Sequence, residues 1–460
     1  MTPVAVLDFE REVQELLREV GQAIIEFAYN RLEPDQPEEL PPALRHEGGD
    51  YRRLNAKTPN REVATLFGKI TLNRHGYRYV QRDVAEPSIF PLEQQLGLVG
   101  GATPALAGEA ARSMAEAGAT QETTLTRLKE RHGVTWGVKK LRAVTAQVAS
   151  SMEEHRRAQQ AQQVVAWLRQ AHESKGKGRP VLSAGRDGIT LATLPHGCYE
   201  VASTGTLTVY DRRGKRLGSV YLAYAPELGQ QTMTDELTAL LTEVLRQWEG
   251  PLPRLVYVTD AGDHETQYYR RVLQKLAHPR TGKKLTWQWI VDFYHAAQRL
   301  GTLGEALFGA GREASAWAAR MRKLLQKPNG PFRVLHAAAA MKARRGLSAH
   351  ARKKFQRAYN YLRTRTAHMQ YAQFRQQGLP IGSGITEAAC KTVFTQRFKQ
   401  SGMKWKIAGG QSILALRVIA LSSVWTRVRD AVLNSSPLPE RATANRSLTE
   451  PAEIPRRIAA

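Results

Sequence analysis

Asp187, Asp260 and Glu387 are the residues whose types and surroundings could do chemistry. Glu387 is the sole acidic residue between Glu313 and Asp430, a window with 23 lysines and arginines, 15 before it and 8 after it. A carboxylate isolated in so positive a stretch suits a metal ion held against a polyanion, with the surrounding bases holding the polyanion. A solvated basic domain with one stray glutamate is the plainer alternative. Phosphoryl transfer with two bound cations needs hard oxygen ligands that converge on Mg²⁺ or Mn²⁺. One bridging carboxylate and two flanking ones hold such ions roughly 3.5 to 4 Å apart. The spacings, 73 and 127 residues, carry no information by themselves, because a fold assembles such a triad. Asp260 and Asp292 each close an apolar run, where an aspartate is also a common helix N-cap. That second reading is the stronger at Asp292, since Phe293-Tyr-His295-Ala follows as a helix start, and Asp263 and Glu265 compete with Asp260 for metal.

These residues need elements to place them. Residues 181–192, 201–210 and 216–224 read as strands, with Asp211-Arg-Arg-Gly214 as a hairpin turn between the last two. A helix over 232–248 buries Leu237, Leu240, Leu241 and Val244, and Pro251 and Pro253 stop it. A buried strand over 254–260, a helix over 264–276, a strand over 287–292 and a helix from 293 follow. The order β-β-β-α-β-α-β-α sets antiparallel hairpins beside parallel strands joined by right-handed, helix-covered crossovers. Ligands gather at the carboxyl ends of such strands, where Asp260 and Asp292 fall.

Residues 301–378 read as a basic helical insertion. Lys342, Arg344, Arg345, Arg352, Lys353, Lys354 and Arg357 suit a phosphate backbone. Tyr359, Tyr361, Tyr371 and Phe374 read as packing aromatics, stacking on an unpaired base being the alternative. Over 379–433, Gly382-Ser-Gly384 permits a close approach and leads into a helix over 386–400 that carries Glu387. Lys391 on that helix reaches either a phosphate or Glu387 itself, and Arg397, Lys399 and Lys404 extend the basic surface. An apolar helix over 408–428 packs on the sheet. Residues 434–460, rich in Pro, Glu, Arg and Ser, read as a disordered tail.

Upstream, residues 1–100 read as an amphipathic helix over 7–31 and a small β-unit over 65–79 with a turn near 73–76. The stretch 101–150 reads as helices over 105–117, 120–132 and 136–148, with a tight turn at Gly133-Val-Thr. Lys139, Lys140 and Arg142 on the third helix suit helix-turn-helix docking on DNA, a plain three-helix bundle being the alternative. Residues 151–180 read as a linker, an alanine- and glutamine-rich helix over 149–170 that ends in the flexible basic segment 174–180, and the first part of the core spans 181–300.

The formal charge of +25 and pI near 10.2 point to a polyanionic partner, nucleic acid before a membrane surface. Two distant cysteines, Cys198 and Cys390, exclude a cysteine-based zinc ribbon and a disulfide framework, and fit a reducing cytoplasm. No apolar run of about 18 residues is present, and the first residues are too short an apolar run for a signal peptide. The expected location is the cytoplasm, at the nucleoid.

Several stretches carry a resemblance. Gly-Arg-Asp187-Gly, Val-Thr-Asp260-Ala-Gly, Ile-Val-Asp292-Phe-Tyr-His295-Ala-Ala-Gln-Arg-Leu and Gly-Ser-Gly-Ile-Thr-Glu387-Ala-Ala-Cys-Lys look like motifs of the DDE transposases of bacterial insertion sequences. The nearest group is the ISKra type, related to the Mutator-like transposases. Gln-Arg397-Phe-Lys-Gln-Ser-Gly-Met-Lys-Trp405 and Gly409-Gly-Gln-Ser-Ile-Leu-Ala-Leu-Arg-Val continue the match, which covers about residues 60–430. The glutamate motif is long and specific, and the first aspartate motif is short. The resemblance implies a ribonuclease-H-like core, preceded by a mainly helical DNA-binding region. It implies a metal-binding triad of Asp187, Asp260 and Glu387 with Asp292 and His295 as an accessory pair, two Mg²⁺ (or Mn²⁺) ions and no zinc. The partners it implies are element-end and target DNA and a second copy in a homodimer or higher oligomer. The implied reaction is DNA cleavage at element ends and joining to a target. A structure-specific nuclease and a domesticated, inactive DNA-binding protein are the rivals. Members often read Asp-Gly-Ala where this chain has Asp260-Ala-Gly-Asp263, which leaves Asp260 and Asp263 both open. Members also often carry a Cys-x-x-Cys ribbon where this chain reads Asn73-Arg-His-Gly-Tyr-Arg-Tyr79.

Overall fold

The computed structural model describes residues 2–80, 86–195, 198–400, 402–435 and 440–441. The chain divides into two compact units: Met1–Ala110 with Gln121–Val144 and Leu433–Ala460, and Ala111–Thr120 with Thr145–Val432.

In the first unit, α1 (Pro3–Asn30) starts at Thr2, whose Oγ1 accepts from the Ala5 N–H at 3.3 Å. It leads to β1 (Ala43–His46) and the long hairpin of β2 (Gly49–Thr65) and β3 (Gly68–Tyr79). The hairpin turns at Leu66-Phe67, not near 73–76 as the sequence suggested. The Thr65 hydroxyl closes that turn on Gly68 O at 2.9 Å, and Gly68 takes φ +114°. Asn73, His75 and Gly76 lie inside β3, because strand pairing over a long register outweighs a local turn signal. Ile25 and Tyr29 of α1 pack on Val63, Ile70 and Leu72. After α2 (Pro91–Gln95) come α3 (Pro104–Ala115), α4 (Gln121–His132) and α5 (Val138–Glu173).

The sequence suggested two helices here, one over 136–148 and a linker helix over 149–170. Instead α5 runs on to Glu173, and Val164, Val165, Leu168 and Ala171 enter the core of the second unit. Arg156, fully buried, bonds Glu153 and Gln160 on its own helix and ties that helix down through Tyr224 Oη, 2.8 Å away, and Glu236, 3.2 Å away. Apolar residues spaced for one face make a packed helix, and alanine and glutamine are good helix formers that need not signal a linker.

The second unit is a mixed sheet flanked by helices. Its strands are β4 (Val181–Leu194), β5 (Tyr199–Tyr210), β6 (Arg216–Tyr224), β7 (Arg254–Thr259) and β8 (Trp287–Val291), in the spatial order β6-β5-β4-β7-β8. The first three pair antiparallel, while β4, β7 and β8 run parallel. The crossovers are α6 (Gln231–Gln247) and α7 (Asp263–Tyr268), the latter widened into a π-turn over Tyr269–Leu273. After β8 come α8 (Phe293–Phe308), α9 (Arg312–Leu325), α10 (Gly330–Arg344), α11 (Ala349–Arg363) and α12 (Tyr371–Gln376). The chain returns to the sheet with α13 (Gly384–Ala389), which passes through a π-helical stretch, Cys390–Thr395, into α14 (Gln396–Phe398). The wider π-turn frees carbonyls. Buried Arg417 answers Thr392 O and Val393 O, the latter at 2.9 Å.

The short β9 (Trp405–Lys406) pairs with the end of β4. Where one helix over 408–428 was expected, α15 (Ile407–Leu421) and α16 (Trp425–Ser435) bend by 115°. Ser423 at the bend takes a left-handed φ of +58°. Among the described residues no single helix is long and apolar enough to cross a membrane. The expected tail, 434–460, lies mostly outside the described residues; Asn434 and Ser435 end α16, and β10 (Glu440–Arg441) pairs with β1.

Candidate metal centre

Three parallel strands bring three aspartates to one level. In the β4–β7 register Gly185 stands opposite Val258, so two residues further on Asp187 falls beside Asp260. In the β7–β8 register Thr259 stands opposite Val291, so the next residue sets Asp260 beside Asp292. Residues level with one another on neighbouring strands project to the same face. Glu387 comes from above. Its helix presses Thr386 onto β4 and β5, where Thr386 Oγ1 and Thr206 Oγ1 are 2.8 Å apart. A Cβ at Gly185 would meet Thr386 Oγ1 at 2.1 Å, so the missing side chain is what lets the helix seat two residues before Asp187.

The closest convergence joins Asp292, His295 and Glu387, whose ligand atoms lie within 4.8 Å of one another and could hold a divalent metal. Asp292 is fully buried, while His295 is partly and Glu387 largely open to solvent. His295 Nδ1 sits 3.2 Å from Asp292 Oδ1 and 3.3 Å from Glu387 Oε1. Asp292 also caps α8, accepting the His295 N–H at 2.7 Å, and its Oδ2 accepts the Ser383 N–H. Ser383 Oγ donates to Glu387 Oε1 at 3.1 Å. The N-cap reading of Asp292 thus holds, and the same carboxylate belongs to the cluster that could hold a metal. Burial alone would raise its pKa, but hydrogen bonds from His295 and Ser383 outweigh burial and hold it below its ordinary value. The Asp292 hydrogen bond in turn lifts His295 above its ordinary value against the effect of burial, with Asp260 and Glu387 adding to the lift.

Asp187 and Asp260 make the other half. Burial, and then the charge of Asp260, hold Asp187 above its ordinary value, although the Gly188 N–H bonds its Oδ1 at 2.7 Å. Asp260 Oδ1 accepts the Gly262 N–H at 2.9 Å. The turn that follows is pinned from the helical insertion: Tyr361 donates its hydroxyl to Asp260 O at 2.6 Å, and Arg365 donates to Ala261 O at 2.9 Å. Ala261 takes a left-handed φ of +59°, where glycine is the usual occupant. Between the rivals, Asp263 is exposed at the start of α7, whereas Glu265 turns inward and is buried. Burial, with Asp260 and Asp187 nearby, pushes Glu265 up to about 7, partly opposed by Arg186. Arg186 is buried behind Asp187 on Gln230 and Thr234.

The donors fit a divalent cation. They are carboxylate oxygens with one imidazole, and like charges drawn together unbalanced favour a positive ion among them. The sulfur at hand is no thiolate. Cys390 Sγ donates to Asp187 Oδ2 at 3.4 Å, and burial, with Asp187 adding, pushes its thiol well up.

The expected basic residues separate by exposure. Lys139, Lys140, Arg142, Arg344, Arg352, Lys353, Lys391, Lys399 and Lys404 are exposed. Lys342 is half-buried over the Phe355 ring, Arg345 pairs with Glu313 at 2.9 Å, and Lys354 pairs with Glu305 at 2.5 Å. Arg397 is a correction: it is 2% exposed, donates Nε–H to Met114 O at 2.9 Å and stacks on Trp405, so it serves packing and cannot reach a phosphate. Sequence reasoning missed Ser383, Arg365 and the hydrogen bond of Tyr361. Ser383 had a signal in Gly382-Ser-Gly384; the other two come from a distant insertion and had none. No family model matches the chain, and no curated protein matches it.

Proposed function

We propose that the chain is a DNA transposase of the DDE kind, built on a ribonuclease-H-like core, with Asp187, Asp260 and Glu387 as principal cation ligands. The reading rests above all on one observation: Asp292, His295 and Glu387 converge at the carboxyl ends of adjacent parallel strands, the same end to which the strand registers carry Asp187 and Asp260. Mg²⁺ or Mn²⁺ held there supplies Lewis acidity and a water of lowered pKa. The chain's own residues do the rest. Asp292 and Ser383 fix His295 and Glu387, so the glutamate meets the cation already oriented. Tyr361 and Arg365 hold the Asp260 turn at the level of Asp187. Lys391, Lys399 and Lys404 on the exposed side would take backbone phosphates and balance charge that builds on the reacting phosphoryl group. In this reading hydrolysis at the element end leaves a 3′-hydroxyl, which attacks a target phosphodiester and displaces the target strand's own 3′-oxygen, so one P–O bond forms as another breaks and no protein nucleophile is needed.

The test is a cleavage and joining assay on labelled DNA that carries the flanking element ends, with Mg²⁺ or Mn²⁺, run on the intact chain and on Glu387→Gln. Cleavage and joining that vanish in the variant support the transposase. Cleavage without joining moves the reading to a nuclease, and DNA binding without chemistry to an inactive binder. Activity equal in the variant removes Glu387 from the site.

A further inference from the structure

Helix α1 has two faces, and among the described residues only one of them has a partner. On the inner face Gln22 donates to Lys69 O at 2.6 Å, Ile25 and Tyr29 pack on β3, and Gly21 lies so close to Phe67 that a Cβ would meet the ring at 2.3 Å. The opposite face is a stripe of large apolar side chains in water. Val6, Val13, Val20 and Phe27 recur every seven residues, and Phe9 and Leu16 fill the positions between. Leu17 and Ile24 broaden the stripe, which ranges from Val13, 38% exposed, to Phe27, 69% exposed. None of the 28 residues of this helix is buried. Contiguous exposed apolar surface of this size marks an interface.

We propose that α1 pairs with α1 of a second copy of this chain as a parallel two-stranded coiled coil. The spacing is self-complementary: three complete heptads from Val6 to Phe27 give a seam about 32 Å long. Valines hold three of the four first seam positions, a β-branched pattern that suits two strands, and Phe9, Leu16 and Ala23 hold the second positions. The eight exposed side chains would bury about 600 Å² per copy at roughly 75 Å² each, near the ~800 Å² per partner of a standard interface. Charge selects the occupant. In a chain of formal charge +25, α1 carries Asp8, Glu10, Glu12, Glu15, Glu19 and Glu26 against Arg11 and Arg18. So acidic a helix repels nucleic acid and anionic lipid. Charge also selects the direction. Glu12 and Glu19 flank the seam on one side; antiparallel helices would set them against one another, whereas parallel helices set them against Leu17 and Ile24 of the second copy. The pairing follows from α1 alone and stands whether or not the proposed reaction is right.

The experiment is light scattering on the full chain, free of DNA, as eluted from a sizing column. The expected mass is twice 51.3 kDa, falling to 51.3 kDa in the double variant Leu16→Asp, Val20→Asp. Both residues are exposed, so the variant keeps its helix packed on β3, which an unchanged circular dichroism spectrum checks. In a Cys198→Ser background, Val6→Cys is expected to cross-link to itself under mild oxidation, since parallel helices bring the two positions together. A monomeric parent chain, or a dimer indifferent to the double variant, overturns the proposal. So does a parent that associates only after residues 436–460 are removed, which would make that segment the cover. A dimer lost in the double variant but never cross-linked through Val6→Cys overturns the parallel arrangement.

Discussion

Glu265 shows how one residue can report the charge state of a whole site. Its carboxyl is pushed up from 4.5 to about 7 by burial first and by Asp260 and Asp187 next. A carboxyl with a higher pKa in the folded chain holds more protons there than in the unfolded chain. Stability is therefore greatest below about 4.5, falls as pH rises through about 7, and is level beyond. Glu265→Gln removes that titration. The variant is expected to match the parent near pH 4.5 and to exceed it at pH 8 by up to about 3 kcal/mol in urea unfolding without metal. Added Mg²⁺ should narrow the gap, because a cation among the carboxylates favours the charged parent. A gap that does not change with pH would remove Glu265 from the electrostatics of the site. Tyr361 acts through geometry. Its hydroxyl holds Asp260 O, so Tyr361→Phe keeps the ring in place and frees the turn. A loss of about tenfold in cleavage rate is expected, with DNA affinity unchanged, as suits a positioning group. The sequence marked Asp187, Asp260, Asp292, His295 and Glu387, because chemistry restricts residue types and local motifs record them. Tyr361 and Arg365 could not be marked in this way: 101 residues separate Tyr361 from its acceptor, and a hydrogen bond across that gap leaves no local pattern.

At the scale of elements, strand types and order were legible because alternation and apolar runs report burial face by face. The level placement of three aspartates was not, since register is a property of pairs of strands and a shift of one residue would turn a side chain to the other face. The misplaced turn in the β2–β3 hairpin has one cause: a local signal was read where long-range strand pairing decides. Gly185 is the position where an element's placement turns on a single absent atom group. Gly185→Ala is expected to push the Glu387 helix off the sheet, because the new methyl would meet Thr386 Oγ1 at 2.1 Å and Thr206 Oγ1 at 2.8 Å. Overpacking of this kind costs about 1–3 kcal/mol, and metal-dependent cleavage should fall further than stability. Adding Thr386→Ala removes the nearer atom and should restore part of both, as measured by urea midpoint and cleavage rate. No recovery would mean that the helix is placed by contacts elsewhere.

Over the whole molecule, the charge of +25 conceals a division of labour among the basic residues. Arg156, Arg397 and Arg417 are buried and bond to carbonyls or carboxylates, so they add to the net charge without adding to any surface a polyanion can touch. Burial, and for Arg397 the neighbouring Arg417, even lower the pKa of both Arg397 and Arg417 to about 10. Net charge is read from composition, but the share that faces solvent depends on the fold, which is why Arg397 was misassigned. Exposed Arg344, Arg352, Lys353 and Lys404 remain free for phosphates. Binding through such groups releases counterions, so each phosphate contact contributes about 0.9 to the slope of log affinity against log salt. Arg352→Ala with Lys353→Ala is expected to flatten that slope by up to about 2 on duplex DNA of any sequence, with folding intact. Arg397→Met should instead leave the slope as it is in whatever fraction stays folded and lower the unfolding midpoint, since it leaves the Met114 carbonyl buried without its donor. Fluorescence anisotropy from 50 to 300 mM salt separates the two. An unchanged slope in the double variant would take α11 out of the proposed DNA-binding surface, and a flatter slope in Arg397→Met would return that residue to it.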